Sequence, residues 1–286
     1  MSTQSLLGTV VSLWRYPVKS MMGEELNATQ VTKAGLFGDR AYALVNQSDG
    51  KVASAKNPGK WPHLFDFRAV LADKADPGRT VPPVRVTFPH GTSLTSGQPD
   101  CDQLLSKVFN REVTLSVAAA HVGQEAAGSG GIVRAATAEE YWPDIEGLEY
   151  RDTVTEFGLP EGTFFDCASV HLLTTATMDR LRELYPEGRF EARRFRPNVI
   201  VQTPNARKDF VENGWIDKTL VIGEGVRLRV TGPCPRCVMT TLSQSDLPKD
   251  TGILRAAAQH NRANVGVYAS VLQGGHIRRG DSVRLE

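Results

Sequence analysis

Gly232-Pro233-Cys234-Pro235-Arg236-Cys237-Val238-Met239-Thr240-Thr241 places a cysteine directly after an arginine, at a point where a strand is expected to begin. A neighbouring cation favours thiolate over thiol, so Cys237 is a candidate soft metal ligand or nucleophile. The Cys-x-x-Cys spacing also invites a zinc or dithiol reading. Zinc would need two more ligands at metal-binding spacing. A thioredoxin-like pair would sit at a helix N-terminus after a βαβ pattern, whereas Val238-Met239-Thr240-Thr241-Leu242 reads as strand.

Outward from this stretch, short runs rich in β-branched residues are broken by Gly, Pro and Asp. Strands are expected at 8–14, 41–46, 84–88, 113–117, 170–173, 199–202, 220–222, 226–231 and 237–242, with 265–271 and 282–285 also extended. Asp49-Gly50 is a hairpin turn signal, because Gly accepts positive φ. Helices are expected at 100–109, at 253–262, and after Thr174 or Thr175, where Met178, Leu181 and Leu184 form one stripe. Many short strands with few helices imply an α+β, mainly β chain built as a barrel or sandwich. Periodicity is lost over 123–131, so the expected division is 1–125 and 126–286.

The chain has 286 residues, with 33 Lys plus Arg against 32 Asp plus Glu. A net charge of +1 gives no global field for nucleic acid or membranes, so any anion site must be local. Four cysteines are too few for a disulfide scaffold, and the N-terminus lacks a basic secretory leader. Mean hydropathy is −0.26 and no apolar run approaches the ~18 residues of a spanning helix, so the expected location is the cytoplasm. Gly223-Glu224-Gly225 lacks the further glycine of a dinucleotide loop.

Three runs together, Arg15-Tyr16-Pro17-Val18-Lys19-Ser20, Arg193-Arg194-Phe195-Arg196-Pro197-Asn198 and the Cys237 stretch, resemble the MOSC family, the molybdenum-cofactor sulfurase C-terminal domain. The first half, with Gly38-Asp39-Arg40, looks like the β-rich domain that precedes MOSC in many proteins. The resemblance implies a MOSC β-barrel packed with an N-terminal β-rich domain and a few short helices. It further implies molybdenum cofactor (molybdopterin), whose phosphate wants cations and hydroxyls and whose metal wants a polarisable ligand.

On that resemblance, Cys237 is the catalytic sulfur and metal ligand, with Arg236 beside it on the cofactor. Lys19 and Ser20, at a turn after the first strand, would meet the phosphate, and Arg40 would join them. Pro197 is expected to hold Arg196 extended, so that Arg196 and Asn198 point to one face as a phosphate clamp. Arg193 and Arg194 are expected to face solvent. Thr174 and Thr175 offer hydroxyls at a helix start, either to the cofactor or as a plain cap.

The implied activity is a two-electron reduction of N-hydroxylated or N-oxide-type small molecules, as in the amidoxime-reducing branch. No iron–sulfur motif is visible, so electrons would come from an external donor protein. The alternative is a cofactor or sulfur carrier with a Cys237 persulfide; pyridoxal phosphate would enter only through sulfurase partners. A third reading has Cys234 and Cys237 in a stabilising zinc site. Neither nucleic acid nor membrane is an expected partner, and the sequence leaves the oligomeric state open.

Overall fold

Strand Leu6–Arg15 belongs to the first half of the chain by sequence and to the second half by hydrogen bonding. It pairs antiparallel with Val199–Gln202 on one side and with Ser282–Leu285 on the other. From Val199–Gln202 the ring runs through Val170–Thr174, Asn264–Gln273, Val226–Pro235 and Thr219–Ile222 back to Ser282–Leu285, a closed barrel of seven strands. The computed structural model describes residues 5–73, 80–121, 132–133, 135–204 and 208–286, so the expected linker at 123–131 lies outside the described residues.

Local rules explain how the barrel closes. A bulge between Val10 and Ser12 resets the alternation of the first strand, so Val10 and Leu13 both face inward although three residues apart. At Gly8 the neighbouring backbone is so near that a Cβ would lie 2.3 Å from the Gln202 carbonyl oxygen. Val170–Thr174 and Val199–Gln202 run parallel, which requires a crossover, and helix Thr175–Leu184 supplies it. Met178 and Leu181 of that helix pack outside the barrel on Phe195, Ile200 and Ile253, while Leu13, Leu172, Leu228 and Val267 fill the inside.

The first half builds its own core beneath small sheets. Tyr42–Asn46 pairs with Val113–Ala118, and Arg68–Leu71, Val84–Thr87 and Ser93–Thr95 form a second sheet. Trp61, Phe65, Phe67 and Phe88 pack beneath them with Leu105 of helix Cys101–Phe109. Cys237 and Met239 are buried in this same core, so the segment leaving the barrel plugs into the first half. The architecture is therefore the expected mainly β fold, with four α-helices among the described residues. Among those residues no helix is long and apolar enough to cross a membrane.

Asp49-Gly50 makes its turn, with Gly50 at φ 68° and Val45 bridged to Val52. The strand expected at 237–242 does not form: the barrel strand runs on to Pro235 and Val238–Thr241 is a 3-10 turn. Its carbonyls are taken locally. Thr240 Oγ1 donates to the Cys237 carbonyl at 3.0 Å and Thr241 Oγ1 to that of Val238 at 2.7 Å. Hairpin Thr137–Trp142 with Thr153–Gly158 was not among the expected strands; Thr-Val-Thr-Glu-Phe at 153–157 carried the β-branched signal for it.

A chain of residues 126–286 lacks Leu6–Arg15 and leaves two barrel edges unpaired. Expressed alone, it should show no cooperative thermal unfolding, and residues 1–125 added in trans should restore it. A cooperative transition in the isolated fragment would contradict this.

Candidate functional site

The loop after Leu6–Arg15 is laid against the next strand before it reaches the site. Lys19 N donates to the Tyr42 carbonyl at 2.8 Å, Tyr42 N to that of Pro17 at 2.9 Å, and Tyr16 N to Asp39 Oδ1 at 2.7 Å. Lys19, Ser20, Arg40, Arg196, Asn198, Arg236 and Cys237 all line one pocket at the seam between the barrel and the first half. Ser20, Arg40 and Arg196 have φ of 64°, 49° and 54°, left-handed conformations that cost a side-chain-bearing residue about 1–2 kcal/mol each. Strain of this kind concentrates where side chains must be aimed.

Arg196 corrects the expectation of an extended conformation. Pro197 disfavours the right-handed helical region for the residue before it, and Arg196 answers by turning left-handed as the C-cap of helix Ala192–Phe195, its N–H on the Ala192 carbonyl. Its guanidinium lies 4.1 Å from the Tyr16 ring centroid and Nη1 donates to the Met21 carbonyl at 2.6 Å. Burial, then the neighbouring Arg40, lower its pKa to about 9, so it stays charged at neutral pH. Asn198 Nδ2 donates to Asp39 Oδ2 at 2.9 Å and to the Trp14 carbonyl at 3.3 Å, so the amide knits the wall of the pocket.

Arg194 is also a correction: it is fully buried, whereas Arg193 is only partly covered and pairs with Glu191 and Asp246. Thr174 and Thr175 lie outside the pocket. Thr174 Oγ1 caps its helix by accepting from Thr177 N at 3.1 Å and donates to buried Glu212 at 2.6 Å, which commits its hydroxyl proton.

The cation beside Cys237 in sequence spends its hydrogen bonds elsewhere. Arg236 Nη1 donates to Cys234 Sγ at 2.7 Å and Nη2 to the Phe195 carbonyl at 2.9 Å, while its buried Nε has no partner. Burial pushes the Cys237 thiol up to about 11, against the pull of Lys56, so the expected thiolate is a thiol at neutral pH.

Lys56 and Asp166 were missed because no local pattern marks them. The Asp166 carboxylate bridges Lys19 and Lys56, and Lys56 Nζ also meets Glu140 at 3.0 Å. Burial disfavours each of these charges; on Asp166 the two lysines prevail and hold its pKa below the usual range, and on Lys56 the anionic neighbours prevail and raise it. Lys19 goes the other way, lowered by burial despite Asp166. Burial and then Arg236 push His171 down to about 3, so it is neutral, with Nε2 donating to the Val265 carbonyl at 3.0 Å.

The lining therefore holds five cations, Lys19, Arg40, Lys56, Arg196 and Arg236, against one carboxylate, Asp166. That imbalance, an orphaned guanidinium N–H and one buried thiol would suit an anion with a soft electrophilic end. Among the described residues no group of three or more His, Cys, Asp or Glu could hold a metal unaided, which leaves the zinc reading without a ligand set there.

Two family models match the chain, the MOSC N-terminal beta barrel domain over residues 7–120 and the MOSC domain over residues 160–284. The chain belongs to the MOSC family. This MOSC chain is 26% identical over 268 residues to mitochondrial amidoxime reducing component 2 of Macaca fascicularis, covering 87% of this chain and 69% of that protein. The human protein of that name is 25% identical over 265 residues, with the same coverages. Mouse mitochondrial amidoxime-reducing component 1 is 25% identical over 255 residues, covering 86% and 68%.

The thiol state of Cys237 is directly measurable. Its alkylation by iodoacetamide in the ligand-free MOSC chain should climb about tenfold per pH unit from pH 7 to 10, because only the thiolate reacts and the pKa is about 11. A rate already saturated at pH 8 would show that the pocket holds a thiolate.

Proposed function

We propose that this chain binds molybdenum cofactor at the seam pocket and reduces N-hydroxylated small molecules, with Cys237 as metal ligand. The single observation that carries the reading is a lining of five cations and one carboxylate around one buried thiol. The relatives named for amidoxime reduction supply the substrate class. The unit to residue 125 and the unit from 126 both contribute, because Lys19, Ser20, Arg40 and Lys56 precede that point and Asp166, Arg196, Arg236 and Cys237 follow it.

The donor set fits the group. Arg196, Arg40 and Lys19 would hold the phosphate, with Ser20 beside them, although Ser20 Oγ already accepts from Ala55 N at 3.0 Å. Arg236, whose Nε lacks a partner, would meet the anionic cofactor next to the metal end. When bound, molybdenum would supply the two-electron couple that such a reduction needs. The balance of the reaction is R–NHOH plus two electrons and two protons to R–NH2 plus water.

Ligation requires Cys237 Sγ to lose its proton, which burial otherwise retains. Lys56 keeps a proton on Nζ facing the pocket, held by Asp166 and Glu140. Phe164, Phe165 and Met239 cover the site with apolar surface and limit water. The electrons come from a separate donor protein.

Protein from a cofactor-competent host should carry molybdenum and turn over an aromatic amidoxime repeatedly with reduced viologen as donor. Cys237→Ser should abolish turnover, while Cys234→Ser, which retains an acceptor for Arg236, should keep most of it. A single turnover per cysteine, without molybdenum, would favour the sulfur carrier with a Cys237 persulfide. Arg196→Ala should lower molybdenum per chain through about a tenfold or greater loss of affinity, from the loss of one charge-assisted contact. Full occupancy in that variant would exclude Arg196 as a phosphate ligand.

A further inference from the structure

Arg194 is fully buried, and every hydrogen bond it makes goes to a main-chain carbonyl. Nε donates to Arg189 at 2.9 Å, Nη1 to Thr240 at 3.2 Å and Leu242 at 3.1 Å, and Nη2 to Pro248 at 2.8 Å. A guanidinium buried among neutral acceptors, without a contacting carboxylate, is costly, and an apolar side chain would fill the same space more cheaply. What a planar five-donor fork adds is the ability to fix two segments against each other, which an ammonium point charge cannot reproduce.

The two segments are those that carry the site. One is helix Ala192–Phe195, capped by Arg196; the other runs from residue 240 to 248, starting three residues after Cys237 within the turn that Cys237 precedes. By taking the Thr240 and Leu242 carbonyls, Arg194 removes them from strand pairing and holds the 3-10 turn that begins at Cys237. Arg236 Nη2 ties the residue before Cys237 to the Phe195 carbonyl at 2.9 Å, but it does not reach 240–248, and the other ties to that segment are outlying. Arg189 and Arg193 pair with Asp246, whose side chain is 58% exposed, so those bridges are worth little.

We propose that Arg194 is a positioning residue that sets Cys237 against Arg196; its bearing on catalysis rests on the reading of Cys237 as metal ligand. The Arg194→Met and Arg194→Lys variants of the full chain, free of cofactor and at one fixed pH, test the positioning itself. Two rates are read: iodoacetamide alkylation of Cys237, with exposed Cys167 as internal reference, and amide hydrogen exchange.

Both variants should alkylate Cys237 about tenfold faster or more and accelerate exchange across 238–248, while Cys167 and the barrel strands keep their wild-type rates. The lysine should not rescue, since it retains charge and lacks the fork. Wild-type rates at Cys237 and 238–248, or rescue by lysine, would overturn the proposal. So would a uniform acceleration at every cysteine and strand, which is general destabilisation. If Arg194→Met is recovered unfolded, Arg194→Lys is read by the same criteria, and Asp246→Ala, which removes only exposed bridges, should keep wild-type rates at Cys237 and across 238–248. Because neither rate involves molybdenum, failure here is separable from failure of the proposed reduction.

Discussion

The carboxylate of Asp39 is the knot on which the site depends. It is fully buried and accepts from Tyr16 N at 2.7 Å, from Asn198 Nδ2 at 2.9 Å and from Arg40 Nη1. Those donors belong to three runs that are far apart in sequence: the loop leaving the first barrel strand, the Gly-Asp-Arg turn, and the Arg-Pro-Asn strand entry. A buried carboxylate deprived of a partner costs about 3–5 kcal/mol, so each run is held to the others by the penalty of letting go. The same knot orients Arg40, whose guanidinium stacks 4.5 Å from the Tyr16 centroid and donates to the Arg196 carbonyl.

Around that knot the charges are unevenly satisfied. Asp39 pairs with Arg40, Glu140 with Lys56 and Asp166 with Lys19 and Lys56, so three carboxylates meet the five lining cations and a positive excess of two remains. The chain as a whole is nearly neutral, at +1, so this is a local field created by burial and geometry. Low dielectric strengthens it, because water that would screen five cations is partly excluded by aromatic and aliphatic neighbours. The buried thiol of Cys237 adds a second selectivity, since a soft metal can displace its proton and a hydrated hard cation gains little there.

Much of this was legible in the sequence where a residue's role follows from its immediate neighbours. The β-rich pattern foretold a barrel or sandwich and the resemblance chose the barrel, Asp49-Gly50 marked its turn, and the MOSC-like runs marked seven residues that meet in one pocket. What could not be read there was long-range. Lys56 and Asp166 come together through tertiary contact and carry no spacing signal. Arg194 looked like a surface arginine because only the fold reveals the carbonyls that enclose it. The left-handed turn at Arg196 and the 3-10 turn after Cys237 are outcomes of capping and carbonyl capture, which override local strand propensity. Arg236 is adjacent to Cys237 in the chain, but the fold puts its hydrogen bond on Cys234, and burial outweighs its pull on Cys237.

In the proposed function a cationic pocket meets a sulfur that would ligate molybdenum. X-ray absorption at the molybdenum edge, on wild type and on Cys237→Ser from the same cofactor-competent host, examines that junction directly. The predicted result is bound molybdenum in both, with one sulfur scatterer fewer in the variant. Identical sulfur coordination in the two proteins, or wild type without molybdenum, would contradict it.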